Sequence, residues 1–209
     1  MDTAVEISAT RILLVRHGHY ERVGDLGDTV WDLTALGRRQ AARTGRRLGQ
    51  LLDVLDPTFE GIFTSPWPRA RHTAEIGARE MGSERVTIKP YLHESVPLVD
   101  ASFSRDFGAA HGLPLTTPEN HANTVRQVAR VRDRFFHPAS KLTTYLLFTH
   151  GNLIRYLVAG TLHLPLESWG RLDCSHCGIT EIKVFSDGFE ALVRYNDTGH
   201  LPPSMLTNT

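Results

Sequence analysis

The run Arg11-Ile-Leu-Leu-Val15 is apolar at four successive positions and ends abruptly against Arg16-His-Gly-His19. An apolar run without alternation predicts a strand covered on both faces, and such strands belong to parallel sheets flanked by helices. The pattern then repeats. After a loop rich in Gly and Asp (24–28), Thr34 is placed to cap a helix in which Ala41, Leu48, Leu51, Leu52 and Leu55 recur at helical spacing, and Pro57 stops it. Gly61-Ile-Phe-Thr-Ser65 predicts a second buried strand, and Pro68 opens a second helix over Arg69 to Met81.

Further on, 86–89 predicts a weaker strand, 125–136 a helix, and Lys141 to Thr149 a strong strand that ends in His150-Gly-Asn152. Leu153, Ile154, Leu157 and Val158 then mark a helix for which Gly160 is the expected terminator. Thr180 to Phe185 and Ala191 to Tyr195, joined by Asp187-Gly188, predict a closing hairpin. Alternating elements of this kind predict the α/β class: a three-layer α/β/α sandwich with a mostly parallel central sheet. The stretch 99–123, with Gly108, Gly112, Pro114 and Pro118, has no period and is expected to be a lid insertion.

A chain of 209 residues suits one domain, expected to span 1–209 with its core at about 11–195. The 23 basic and 23 acidic side chains balance, which argues against the positive field of a nucleic-acid binder. The arginines at 38, 39, 43, 46 and 47 lie on the first predicted helix and are expected to be a solvated face. No apolar run approaches the roughly 20 residues of a membrane helix, so no membrane partner is expected. Two cysteines make no disulfide framework, and Met1 to Thr10 lack the character of a secretory leader. The resulting expectation is a cytoplasmic protein. Cys174-Ser-His-Cys177 offers one short pair where a structural zinc site uses four ligands, so neither a metal nor a cofactor is expected.

The chemistry is expected where strands end, because open sheets of this class bind ligands beyond the carboxyl ends of their strands. Arg16, His17 and Gly18 follow the first strand, Arg69 follows the second, and His150 and Gly151 follow the fourth. Parallel strands would bring all of them to one rim. Two guanidiniums there match phosphate oxygens. Two imidazoles among cations are driven towards the neutral form, which is the nucleophilic one. The helix that begins at Gly151 would add backbone N–H groups and a positive dipole end.

Leu13-Leu-Val-Arg-His-Gly18, Ser65-Pro-Trp-Pro-Arg-Ala70 with Thr73-Ala-Glu75, Leu92-His-Glu94 and Thr149-His-Gly151 occur in an order that resembles the histidine phosphatase (phosphoglycerate mutase-like) superfamily. The resemblance covers roughly Arg11 to Tyr195. It implies that His17 takes the phosphoryl group as phosphohistidine and that Arg16, Arg69 and His150 bind the phosphate and its transition state. It also implies that Glu94 protonates the leaving oxygen and then assists water; the sequence itself leaves a lid carboxylate, Asp100 or Asp106, open as the acid instead.

His150-Gly-Asn-Leu-Ile-Arg-Tyr156, Leu164-Pro-Leu-Glu-Ser-Trp169 and Asn196-Asp-Thr-Gly-His-Leu-Pro-Pro203 are similar to the PGAM5-like branch of serine/threonine protein phosphatases, as are His17-Gly-His-Tyr20 and Leu33-Thr-Ala-Leu-Gly37. The mutase branch continues its Arg-His-Gly with an acidic residue and later an Asn; here His19, Tyr20 and Glu21 follow. The implied partner is a phosphorylated protein, with a small phosphorylated metabolite as the alternative and a non-catalytic phosphate-binding module as the rival outside enzymes. Neither a membrane segment nor a tryptophan motif precedes Arg11, so that branch's anchoring and large assemblies are not expected here; a homodimer remains open.

Overall fold

The computed structural model describes residues 8–21, 30–95, 97 and 117–208. Among them, six strands form one sheet: β1 (Ala9–Arg16), β2 (Phe59–Thr64), β3 (Val86–Ile88), β4 (Thr143–Thr149), β5 (Ile179–Phe185) and β6 (Glu190–Asp197). Their spatial order is β3-β2-β4-β1-β5-β6. The pairings β1 with β4, β2 with β4 and β2 with β3 are parallel, whereas β5 is antiparallel to β1 and β6 to β5. The α/β class and the mostly parallel centre therefore follow the alternation in the sequence, and the antiparallel edge is the expected hairpin, turned at Gly188 with φ 87°.

Among the described residues four α-helices accompany the sheet: α1 (Ala35–Leu51), α2 (Pro68–Glu80), α3 (Pro118–Phe135) and α4 (Gly151–Thr161). Successive side chains of a strand point to opposite faces, and the two cores separate accordingly. Leu13 and Val15 of β1 and Leu146 and Phe148 of β4 pack with Leu48 of α1 and Ala74 and Ala78 of α2. Ile12, Leu14, Tyr145 and Leu147 pack instead with Val131 and Phe135 of α3 and with Leu153 and Leu157 of α4. Helices α1 and α2 cross at Gly45 and Gly77, where a Cβ on Gly45 would lie 2.7 Å from the Gly77 carbonyl oxygen.

Three boundaries differ from the sequence reading. Helix α1 stops at Leu51 because Leu52 adopts extended backbone, and Leu55, expected on its apolar stripe, is 88% exposed. Helix α3 begins at Pro118, not near Val125, because the Thr117 hydroxyl caps the Asn120 N–H at 3.1 Å and Pro118 fills the first turn. Residues 117–123 thus leave the expected lid, whose remainder, 99–116 with Asp100 and Asp106, lies outside the described residues. Helix α4 runs through Gly160, because the left-handed residue after it is His163 with φ 51°.

Candidate active site

Main-chain bonds continue the sheet one residue beyond its strands. The His17 N–H donates to the Thr149 carbonyl at 3.0 Å and the Ser65 N–H to the Phe148 carbonyl at 3.1 Å. His17, Ser65 and His150 consequently stand together on one rim, with the two imidazole centroids 5.0 Å apart. The loop carrying His17 is fixed by close backbone approach: a Cβ on Gly18 would sit 2.7 Å from the Gly37 carbonyl oxygen, and one on Gly37 would sit 2.1 Å from that of His19. Thr73, the threonine of the second motif, accepts the Gly18 N–H at 3.0 Å and donates to the Arg69 carbonyl at 2.6 Å.

The Nδ1 of His17 lies 2.9 Å from the Gly18 carbonyl oxygen. A carbonyl can only accept, so Nδ1 carries the hydrogen and the Nε2 lone pair is directed away from the loop. Arg69, from the first turn of α2, donates its Nε–H to that Nε2 at 3.2 Å. Its guanidinium lies 4.7 Å from the ring centroids of both Tyr20 and Trp67. Arg16 is buried, with one terminal nitrogen donating to the carbonyls of Cys174 and, at 2.9 Å, Asn208. Gly151 packs against it: a Cβ there would meet the Arg16 Nε at 3.2 Å.

His150 is fully buried, and its Nε2 lies 2.8 Å from the Ser65 hydroxyl. That hydroxyl accepts the Trp67 N–H at 3.2 Å, so its own hydrogen is available for His150 Nε2. Nδ1 of His150 then carries a hydrogen, and it has no hydrogen-bond partner among the described residues. The Arg16 Nε–H is a second buried donor without a partner among the described residues. Unpartnered buried donors are rare in native structures.

Glu94 reaches the rim from the loop after β3. The Thr149 hydroxyl donates to the Leu92 carbonyl at 2.7 Å, and Gln127 of α3 donates to the carbonyls of Tyr91 and His93 at 3.0 and 2.7 Å. Oε1 of Glu94 accepts the N–H groups of Ser95, Asn152 and Leu153 at 3.0, 3.2 and 3.3 Å. This changes one expectation: the N–H groups at the start of α4 hold the carboxylate of Glu94 instead of standing free for a ligand, and Gly151 serves the site by admitting Arg16.

Burial is the largest influence on these groups. It holds His17 well below the usual imidazole range, assisted by the neighbouring His150, Arg16, His176 and Arg69. His150 is depressed in the same way by burial and by Arg69 and Arg16. Burial raises the Glu94 carboxyl above the usual carboxylate range, although Arg16 and the backbone N–H of Ser95 oppose it. A neutral imidazole beside a carboxyl that keeps its proton to higher pH is the division of labour that general acid catalysis with a nucleophile requires.

The structure brings the five side chains named from the sequence to one rim, together with others, not named there, that brace them. His176 sits 5.4 Å from His17, ring to ring. The C-terminal tail lies against the site, with Asn208 on Arg16 and Thr207 on both Gln40 and His176. Gln40 of α1 accepts the His19 N–H at 2.7 Å and donates to the Met205 carbonyl at 2.7 Å. The only sequence signal for the brace was the Asn196 to Pro203 motif: Asn196 accepts the Ser175 N–H at 2.8 Å, fixing the segment before β5. Cys174 and Cys177 act there through their backbone, the Cys177 N–H bonding to the Arg16 carbonyl at 3.0 Å. Among the described residues no cluster of three or more His, Cys, Asp or Glu side chains is arranged to hold a metal.

Residues 12–198 match the model of the histidine phosphatase superfamily (branch 1). The chain is 32% identical over 222 aligned residues to the mitochondrial serine/threonine-protein phosphatase Pgam5 of Drosophila grimshawi, covering 100% of this chain and 70% of that protein. The Drosophila yakuba protein of the same name gives the same identity and coverage. Among solved structures, a phosphoserine phosphatase from Entamoeba histolytica superposes with a TM-score of 0.67 at 21% identity, covering 92% of this chain and 100% of that one. A phosphoglycerate mutase from Plasmodium falciparum gives a TM-score of 0.60 at 22% identity, covering 94% and 96%. The expectation of a cytoplasmic protein is corrected by these relatives, whose names place them in mitochondria. Composition and cysteine usage speak about redox state and membrane spans, and carry no such address; no helix among the described residues is long and apolar enough to cross a membrane.

Proposed function

The chain belongs to the histidine phosphatase superfamily and is a phosphatase, and from that premise we propose that it hydrolyses phosphomonoesters through a phosphohistidine formed on His17. Nε2 of His17 attacks phosphorus while the bond from phosphorus to the ester oxygen breaks. Arg69 releases Nε2 and turns its N–H groups to the phosphoryl oxygens, which Arg16 and the Nδ1–H of His150 also bind. Glu94 gives its proton to the departing alkoxide. Its carboxylate then takes a proton from the water that attacks phosphorus, the P–N bond breaks, and orthophosphate leaves. Phosphoryl transfer asks the protein chiefly for alignment and for positive charge around the equatorial oxygens, and these residues supply both.

The observation that carries this reading is the setting of the His17 Nε2 lone pair: Arg69 Nε lies 3.2 Å away, and the unpartnered donors of Arg16 and His150 are buried at the same rim. Phosphoserine or phosphothreonine in a protein is the proposed substrate, supported by the naming of the relatives as serine/threonine-protein phosphatases. The deciding experiment measures phosphate release from a phosphothreonine peptide and from p-nitrophenyl phosphate, with chelator present, for the native chain and His17→Ala. The expected result is turnover of both substrates by the native chain, acid-labile phosphate on it after a short pulse, and neither in the variant. Full activity in His17→Ala would overturn the mechanism. Cleavage of p-nitrophenyl phosphate alone would replace the protein substrate with a small phosphorylated metabolite.

A further inference from the structure

Tyr20 and Trp67 have no step of their own in the chemistry described so far, yet each touches two groups that do. The Tyr20 ring lies edge-on to His17 with centroids 5.1 Å apart, and the Trp67 ring lies edge-on to His150 with centroids 4.9 Å apart. The Cζ of Arg69 stands over both rings, 4.7 Å from either centroid. Arg69 itself is buried, whereas both rings are half-buried.

Each of the two rings is braced in turn. Trp31 stacks with Tyr20 at 6.0 Å and 24° between planes, and His93 stacks with Trp67 at 6.0 Å and 22°. The main chain fixes the same two residues: Tyr20 forms an antiparallel bridge with Leu33, and the Trp67 N–H bonds to the Ser65 hydroxyl at 3.2 Å. Trp31, Tyr20, Arg69, Trp67 and His93 thereby form one series of contacts that runs from the segment before α1 to the loop carrying Glu94. A cation is drawn to the face of an aromatic ring by its quadrupole, and the attraction strengthens where water is excluded. Unlike a hydrogen bond, it singles out no one N–H. A guanidinium over two ring faces keeps this attraction while it exchanges one N–H partner for another, and its planarity lets the rings fix its orientation, which an ammonium group does not permit.

We propose that Tyr20 and Trp67 are positioning residues for phosphoryl transfer: their rings hold the Arg69 guanidinium beside the Nε2 of His17 and keep it in place as it passes from that nitrogen to the phosphoryl oxygens. The proposal rests on Arg69 binding the phosphoryl group at His17.

Leucine fills much of the space of either ring without offering a π face, and phenylalanine keeps the face. The substrate is p-nitrophenyl phosphate, and orthovanadate, which has no leaving group, is the probe for phosphoryl binding. Trp67→Leu and Tyr20→Leu are each expected to lower kcat and to weaken orthovanadate inhibition about tenfold, the scale of a cation–π contact withdrawn from water. Trp67→Phe and Tyr20→Phe are expected to recover most of both. The loss should also depend on the guanidinium: combined with Arg69→Lys, either leucine substitution should cost less than about twofold, because a lysine has no plane to hold. Native orthovanadate inhibition in either leucine variant, equal losses with and without Arg69→Lys, or no recovery in the phenylalanine variants would overturn the proposal. If the leucine variants unfold, fluorinated tryptophan incorporated at position 67 keeps the shape of the ring and drains charge from its face. Inhibition by orthovanadate should then weaken with each added fluorine, and inhibition indifferent to fluorine would overturn the proposal. Failure here with Arg69→Lys still impaired removes only the role of the rings; an Arg69→Lys variant as active as the native protein removes the role of Arg69 beneath it.

Discussion

The Nε–H of Arg69 points at the Nε2 of His17 across 3.2 Å, so in the proposed mechanism the cation that holds this lone pair is also the one that lets it go. The exchange is geometrically cheap, because the guanidinium is already held near Tyr20 and Trp67 and can trade an imidazole for a phosphoryl oxygen with little change in position. A planar group with several N–H donors suits this, whereas a point charge does not.

Arg69→Lys should therefore lower kcat/KM for p-nitrophenyl phosphate by about 10²–10³-fold, the usual cost of removing one transition-state donor, with little change in Tm. An unchanged kcat/KM would detach the guanidinium from the chemistry.

The directions of the His17 and Glu94 shifts predict a bell-shaped pH profile. In the proposed mechanism His17 acts neutral, so activity falls as pH drops through its depressed pKa, and Glu94 acts protonated, so activity falls as pH rises through its raised one. Glu94→Gln should abolish the alkaline limb and cost most on alkyl phosphates, whose leaving groups need a proton, and least on p-nitrophenyl phosphate. A variant that keeps both the limb and the alkyl rate would move the acid elsewhere.

Folding should be sensitive to acid for a related reason. His17, His150 and His176 all titrate below the ordinary imidazole value because they are buried. The unfolded chain therefore binds protons first: their neutral burial is fully tolerated above about pH 6.5 and stability is lost as pH falls from there towards their depressed values. Urea midpoints measured between pH 7.5 and pH 5 should decline, and decline less in His17→Ala. A flat profile would contradict the burial of these rings.

Two glycines separate close approach from mere helix composition. Gly37→Ala forces a Cβ to within 2.1 Å of the His19 carbonyl oxygen and should cost about 3 kcal/mol or more in chemical denaturation. It should also disturb the loop that carries His17. Gly49→Ala, on the exposed side of α1 with Met81 Cγ 3.7 Å away, should instead stabilise by about 0.5–1 kcal/mol. Equal effects at the two positions would refute the packing described at the rim.

Much of this was written in local patterns. Val15 to His17 announces a strand running into chemistry, Thr34 caps its helix through the Gly37 N–H at 3.1 Å, and Pro68 starts α2 where Arg69 can reach the rim. Hydrophobic periodicity and capping act over a few residues, so strands, helices and their order could be read directly. Helix ends were less legible at Leu52 and Gly160, because termination depends on which residue can turn the backbone and on what the next segment packs against. Pro118 was hidden for the opposite reason: a proline in a stretch without period looks like a break, although it follows a capping threonine.

The sequence by itself determined the α/β class and singled out Arg16, His17, Arg69, Glu94 and His150 as the candidate site residues. Only the tertiary structure decided how they are held: that the start of α4 binds Glu94, that Gly151 makes room for Arg16, and that Gln40, His176 and the tail at Thr207 and Asn208 close the site from behind. Two of those contacts, Gln40 to Met205 and Arg16 to Asn208, join residues more than a hundred positions apart. No local periodicity encodes such pairs; they exist because the β5–β6 hairpin returns the end of the chain to the strand where it began.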